Sequence, residues 1–257
     1  MNTVCGHALV TGASSGIGEA VVKALASEGH SVTLIARRET ELRRVAKEIG
    51  PSVGSNAMAY DLGDTFGIAE LVRRAEAKLG PVDVLVNNAG FELVGRSNEI
   101  ALEQIERIMR INFLASCAMT QAVVPGMIQR GRGTIVDVAS VAAYACPPFL
   151  TYYSASKAAL EAVSVSLRRE FKKHGIHVVT VYPGPIRTLM TERGLAGYRG
   201  NPTMGLPWGT PQVLAGRIVR AIKRHRGTVI YPRLYWLGRL FPSLNALVMS
   251  LAPTNAK

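Results

Sequence analysis

Tyr153 and Lys157 stand four residues apart at the head of an Ala-rich run, 158–163. In a helix that spacing puts both side chains on one face, about one turn apart. A phenol ionises near pH 10, which makes it a poor acid or base at neutral pH. A neighbouring ammonium favours the phenolate and draws that pKa towards the working range. The same spacing also occurs on ordinary solvated helix faces, so the pair needs support from the rest of the chain. Ser140 follows the apolar run 134–138, at the strand end where open α/β sheets bind ligands. Asn112 sits within a long helical stretch, where propensity disfavours it. It is either a surface accident or a functional insertion.

A second constellation lies near the start. An apolar run, 7–11, leads into Gly12-Ala13-Ser14-Ser15-Gly16-Ile17-Gly18 and then into an Ala-rich helix over 19–27. Glycines let a backbone approach a pyrophosphate, and a helix N-terminus presents free N–H groups to it. The spacing is GxxxGxG, and its place between strand and helix makes it a strong dinucleotide signal. The second apolar run, 31–36, ends in Arg37-Arg38. An acidic residue there would suit the ribose 2′-hydroxyl of NAD, whereas arginines suit the 2′-phosphate of NADP.

The elements that must position these residues alternate. Strands are expected at 7–11, 31–36, 57–60, 82–86, 134–138, 177–182 and 228–231. Helices are expected at 19–27, 39–49, 65–79, across 99–129 as two pieces, around 153–163, and after Thr210-Pro211. Short connections between alternating strands and helices imply an α/β, Rossmann-type, doubly wound parallel sheet of about seven strands. Residues 185–209 carry Gly, Pro and Met without regular periodicity and read as a substrate lid. No repeat or linker divides the chain, so 1–232 reads as one domain with an apolar, basic extension at 233–257.

Composition narrows the class. The chain has 257 residues, 48% of them apolar, and a mean hydropathy of +0.17, which is ample for a core. Cys5, Cys117 and Cys146 form no CxxC or Cys/His cluster, so no metal site is expected and a reducing, cytoplasmic setting fits. Neither a signal-peptide pattern nor an uncharged apolar run of ~18 residues is evident. The charge is lopsided: of the formal +12, residues 193–257 carry +10, with ten Lys and Arg and no carboxylate. That end is suited to an anionic partner, or merely to solubility.

Taken together, TGASSGIG (11–18), NNAG (87–90), Asn112, Ser140, YSASK (153–157) and Pro183-Gly184 make the chain resemble the short-chain dehydrogenase/reductase family over about residues 5–232. The resemblance implies hydride transfer between a nicotinamide and a carbonyl/alcohol pair. It casts Tyr153 as acid or base and Lys157 as the group that lowers its pKa and binds the ribose. Ser140 orients the carbonyl, and Asn112 holds a water that feeds a proton relay. Gly12, Ser14, Ser15, Gly16, Ile17 and Gly18 would line phosphates and ribose, with Arg37 and Arg38 at the 2′-phosphate and Asp61-Leu62 at the adenine. Asn88-Ala89-Gly90 would flank the ribose, and Pro183, Gly184, Ile186 and Thr188 the nicotinamide. Asp137 departs from the family's usual neutral residue, and the end of the chain departs from the tails of tetrameric relatives.

The lid and neighbouring loops offer Leu189, Met190, Leu195, Tyr198, Met204, Leu206 and Trp208, with Phe91, Leu93, Tyr144 and Phe149. Such a cleft favours a hydrophobic carbonyl or alcohol, of lipid, acyl or steroid type. Two rivals are a non-catalytic cofactor sensor and a nucleic-acid binder, though the apolar tail reads as contact surface rather than as stacking platforms. Within 233–252, Leu244, Leu247, Val248 and Leu251 would share a helical stripe. That stripe suits peripheral membrane contact or a homo-oligomer interface, dimeric or tetrameric.

Overall fold

The protein was analysed as a computed structural model that describes residues 6–51, 53–198, 207–241, 243 and 247. Seven strands form one sheet in the order β3-β2-β1-β4-β5-β6-β7, and every pairing is parallel. In chain order the strands are β1 (His7–Thr11), β2 (Ser31–Ala36), β3 (Ser55–Ala59), β4 (Val82–Asn87), β5 (Gly133–Val138), β6 (Ile176–Pro183) and β7 (Thr228–Tyr231). This is the doubly wound sheet expected from the alternation of elements.

Side chains alternate across the strands, and both faces are covered. In β1, Ala8 and Val10 join the layer made with Val21 and Leu25 of α1 (Gly16–Ser27), and with Leu214 and Ile218 of α9 (Pro211–Lys223). Leu9 points the other way, towards Leu71 and Val72 of α3 (Ile68–Leu79) and towards Met119, Val123 and Met127 of α5 (Ala115–Arg130). Burial on both faces is why these strands read as continuous apolar runs.

The stretch expected as two helices is one helical body. Here α4 (Leu102–Met109) runs through a π-helical turn, Arg110–Leu114, into α5. The combined span Leu102–Arg130 is long and apolar enough, by length and composition, to cross a membrane. Its apolar face is instead occupied by the sheet, through Met119, Val123 and Met127.

The lid also differs from expectation. Leu189–Ala196 is a helix, α8, because Thr188 caps it by accepting a hydrogen bond from the Thr191 amide at 3.3 Å. Ile186 and Gly209 pair across the base of the lid. Met204 and Leu206 lie outside the described residues. The remaining elements are α2 (Glu39–Glu48), the short α6 (Ala142–Ala145), α7 (Thr151–Glu170) and α10 (Trp236–Leu240).

Candidate active site

All seven strands end on one edge, and the chain leaves β1 and β4 in opposite directions there, opening a crevice at their boundary. The glycine loop lies in it. Gly12 has φ +67°, and a methyl group on it would stand 2.8 Å from Asn88 Nδ2 and 2.9 Å from Ala89 Cα. A methyl on Gly18 would overlap the Gly12 carbonyl. Only bare backbone lets the first turn of α1 approach β4 this closely.

Thr11 ties the two strands together. Its hydroxyl donates to Val86 O at 3.2 Å and accepts from the amides of Asn88 and Ala89, both at 3.0 Å. Asn88 Nδ2 in turn donates to Thr11 O at 2.9 Å. Asn88, Ala89 and Gly12 therefore form one rigid corner.

Arg38, at the end of β2, reaches back to this loop. Its Nη2 donates to Ser14 Oγ at 3.0 Å and to Ser15 Oγ at 2.9 Å. A guanidinium and two hydroxyls thus converge beside a glycine cradle, a donor set that fits a phosphorylated ribose. Arg37 is exposed. Asp61 is also exposed and accepts from the Gly63 amide at 2.9 Å, while Leu62 is buried. From the opposite side Thr188 covers the loop, its Cγ2 3.2 Å from where a methyl on Gly16 would lie.

The four chemical residues meet at the ends of β5, β6 and α7. Ser140 is buried; its hydroxyl donates to Pro183 O at 3.5 Å and accepts from the Ala142 amide at 3.1 Å. The Pro183-Gly184 turn is thereby fixed against β5, and Gly184 lies under the ring of Tyr235. Ile186 is buried beyond it.

Lys157 is buried, and its ammonium donates to Val138 O at 2.8 Å. Burial pulls its pKa down to about 8, against the opposing pull of the Asp137 carboxylate. Its Nζ lies 6.0 Å from the centroid of the Tyr153 ring. The expected lowering of the Tyr153 pKa by this ammonium is not found. Burial raises the phenol pKa, the charge of Glu92 raises it further, and the Ser140 hydroxyl opposes them by hydrogen bonding. The physical reason is that Lys157 points at the β5 backbone and not at the phenol. Tyr153 is thus held protonated.

Asn112 is fully buried, so it is no surface accident. Its Nδ2 donates to Phe91 O and to Ser156 Oγ, both at 3.0 Å, and its Oδ1 accepts from the Phe91 amide at 2.9 Å. The side chain pins the loop after Gly90 to α7. Gly90 leaves room for this: a methyl there would sit 3.0 Å from Asn112 Oδ1 and 3.3 Å from Lys157 Nζ. The π-helical turn lies at this residue, where such turns loosen the helical ladder near functional sites.

Two further residues belong to the site: Asp137, which the sequence marks as a departure without giving it a role, and Glu92, which it does not mark. Asp137 is buried and accepts from Asn87 Nδ2 at 2.8 Å, with Ser164 as a second donor and the charges of Lys157 and Arg168 facing it. An acid within an otherwise apolar strand was the signal, but its partners come from elements up to fifty residues away. Glu92 was passed over between Phe91 and Leu93. It is half-buried, close to Tyr153, and its carboxyl lies against Gly194 of α8.

Comparison with known proteins agrees with this geometry. The sequence profile described as short chain dehydrogenase matches residues 6–197. A dehydrogenase/reductase SDR family protein 7-like protein of Anopheles gambiae is 36% identical over 256 residues, covering 94% of this chain and 81% of its own length. Among solved structures, a short-chain dehydrogenase from Sphingobium yanoikuyae in complex with NADPH superimposes with a TM-score of 0.80 at 27% identity, over 98% of both chains. A 3-ketoacyl-(acyl-carrier-protein) reductase from Brucella melitensis complexed with NADH gives 0.79 at 28% identity, over 88% of this chain and 96% of that one.

Proposed function

Because the chain belongs to the short-chain dehydrogenase/reductase family of oxidoreductases, we propose that it interconverts a hydrophobic carbonyl compound and its secondary alcohol using NADP(H). The observation that carries this reading is the convergence of Ser140, Tyr153, Lys157 and the Asn112-pinned loop beside the glycine cradle. When bound, the nicotinamide supplies or accepts the hydride. The chain's own residues handle the oxygen and the proton. Tyr153, kept protonated by burial, is placed to donate its phenolic proton to the substrate oxygen. Ser140 holds that oxygen by a hydrogen bond that strengthens as negative charge develops on it. Lys157 rests on Val138 O, 6.0 Å from the centroid of the Tyr153 ring, and stabilises the tyrosinate left behind by turning its ammonium to it.

The contacts of Arg38 with Ser14 and Ser15 support NADP(H) over NAD(H), since they hold a guanidinium beside the glycine loop, where it can pair with a phosphate. The relatives' cofactors point both ways, one bound to NADPH and one to NADH. The apolar lid, with Leu189 and Met190 exposed, supports a lipid-like or acyl substrate, and a 3-ketoacyl reductase among the structural relatives favours the acyl class. Oxidation of NADPH and NADH, measured against long-chain ketones, 3-oxoacyl thioesters and steroid ketones, tests the reading. No turnover with any of them removes it.

The tail adds a proposal about location. Tyr235 and Arg239 dock it: Tyr235 O accepts from the Tyr144 hydroxyl at 2.9 Å, and Arg239 pairs with Glu161 at 2.6 Å. Leu234, Leu237, Leu240, Phe241 and Leu247 remain exposed, with Trp236 also partly exposed. Leu244, Val248 and Leu251 of the expected stripe lie outside the described residues. We propose that this apolar, basic end rests on an anionic lipid surface and draws substrate from it. Co-sedimentation with anionic vesicles, lost on truncation after 232, is the expected result. Truncation that instead breaks a dimer, with no vesicle binding by the full chain, makes the tail a homo-oligomer interface.

A further inference from the structure

Glu92 lies two residues beyond Gly90, next to Phe91, whose backbone Asn112 holds by two hydrogen bonds. A methyl on Gly194 would overlap its Oε2 and stand 2.7 Å from its Cδ, so the carboxyl is packed against the backbone of the lid helix α8. Val94 is in the same relation to Gly197, 3.0 Å from where a methyl would be, and the Gly95 amide donates to Phe149 O at 3.0 Å. Tyr198 closes this corner: its ring meets Phe149 edge-on at 6.0 Å and its hydroxyl donates to Pro148 O at 2.8 Å. Among the described residues, the titratable groups that face Glu92 are the phenols of Tyr153 from α7 and Tyr198 from the lid, no cation opposes it, and none donates a hydrogen bond to it. Burial alone pushes its pKa up to about 7.

A carboxyl in such a place is costly unless something donates to it. A cleft serving purely apolar ketones would be better lined there by leucine. The charge of the carboxyl also acts on the phenol of Tyr153, so a substrate group that it binds lies on the same side of the site as the reacting carbonyl.

We propose that Glu92 is a specificity-determining residue that accepts a hydrogen bond from an N–H or O–H group carried by the substrate a few atoms from its carbonyl. This rests on the carbonyl-reductase reading above and narrows its substrate to keto-amides, hydroxyketones and similar donor-bearing compounds. Because only the carboxylate is a pure acceptor, the preference for a donor grows as pH rises through about 7 and fades below it.

Matched substrates test this. The anilides and phenyl esters of 3-oxobutanoic, 4-oxopentanoic and 5-oxohexanoic acids differ only in N–H against O, and they move that group stepwise from the ketone. For the wild type, kcat/KM for anilide over ester should peak at one chain length at about tenfold or more, the factor expected of one hydrogen bond to a charged acceptor. The peak should be larger at pH 8 than at pH 6. Glu92→Ala should bring the ratio close to one, while Glu92→Gln, whose amide oxygen still accepts, should lower it; both should remove its pH dependence. A flat wild-type series overturns the proposal, as does a peak that survives both substitutions. Titration of the same pairs into the protein with NADP+ separates the two readings. If no ketone turns over yet the wild type alone binds the anilide more tightly than the ester, Glu92 keeps its role and the reductase reading fails. Equal binding of both in all variants overturns the role of Glu92.

Discussion

The two walls of the crevice are built on opposite plans. On the β1 side, Thr11, Asn88 and Arg38 are hydrogen-bonded to their neighbours before any ligand arrives, and glycines fix distances that no side chain could share. On the lid side, a carboxyl without a described donor packs against Gly194 of a helix that exposes Leu189 and Met190 and is held at its start by one threonine cap. The first wall is preorganised for one ligand. The second has fewer fixed contacts, and it is the wall to which the proposal above assigns substrate choice.

The largest effect should come from the residue both walls serve. Tyr153→Phe keeps the ring and removes the proton, so kcat should fall by roughly 10²–10⁴-fold, while the dissociation constant for NADPH, followed by fluorescence titration, stays close to wild type. Activity within a few-fold of wild type would remove Tyr153 from the mechanism.

Next comes a single methyl placed on each wall. Gly18→Ala drives it into the Gly12 carbonyl and Asn88, which are backbone and a tied side chain. Overpacking of this kind costs about 1–3 kcal/mol, so NADPH affinity should drop by about tenfold or more. Gly194→Ala meets only the mobile end of Glu92. It should leave NADPH affinity unchanged and raise KM for ketones roughly fivefold, the low end of the same range. Similar losses of cofactor affinity from both would erase the contrast between the walls.

Arg38→Ala sharpens the cofactor wall further. Loss of a charge-assisted contact worth about 1.5–3 kcal/mol should reduce the kcat/KM ratio of NADPH to NADH roughly tenfold, mostly by slowing NADPH. An unchanged ratio would mean that Arg38 serves only Ser14 and Ser15.

The smallest effect is a pH shift. As pH rises through about 8, the Lys157 ammonium loses its proton, since burial has depressed its folded-state pKa. Ketone reduction should decline over that range. Asp137 favours the charged lysine, so Asp137→Asn should move the decline to lower pH. A limb that stays in place would confine Asp137 to its bonds with Asn87 and Ser164.

The same contrast explains what could be read from the chain. Strands buried on both faces announce themselves as apolar runs, and the glycine loop is a local pattern, so sheet and cradle were legible residue by residue. Tyr153 and Lys157 share a helix face and were legible as a pair. The direction of the Lys157 ammonium was not, because its acceptor is a backbone carbonyl of β5. Helix α8 was missed because its start depends on one cap rather than on periodicity. Glu92 and Asp137 acquire their meaning from Gly194, Asn87 and Ser164, contacts that no spacing along the chain encodes.

The strand order has a consequence for how the molecule is made. β1 lies at the middle of the sheet, pairing with β2 on one side and with β4 on the other, where His7 meets Val82. A ribosome adding about 5–20 residues per second needs roughly 4–15 s to pass from the first of these residues to the second. During that interval a nascent β1–β2–β3 unit displays an open edge of Val and Leu at what will become the centre of the sheet. Unpaired edges of this kind recruit other chains, and the exposed edge passes from β1 to β4 and then outward strand by strand, until β7 pairs with β6.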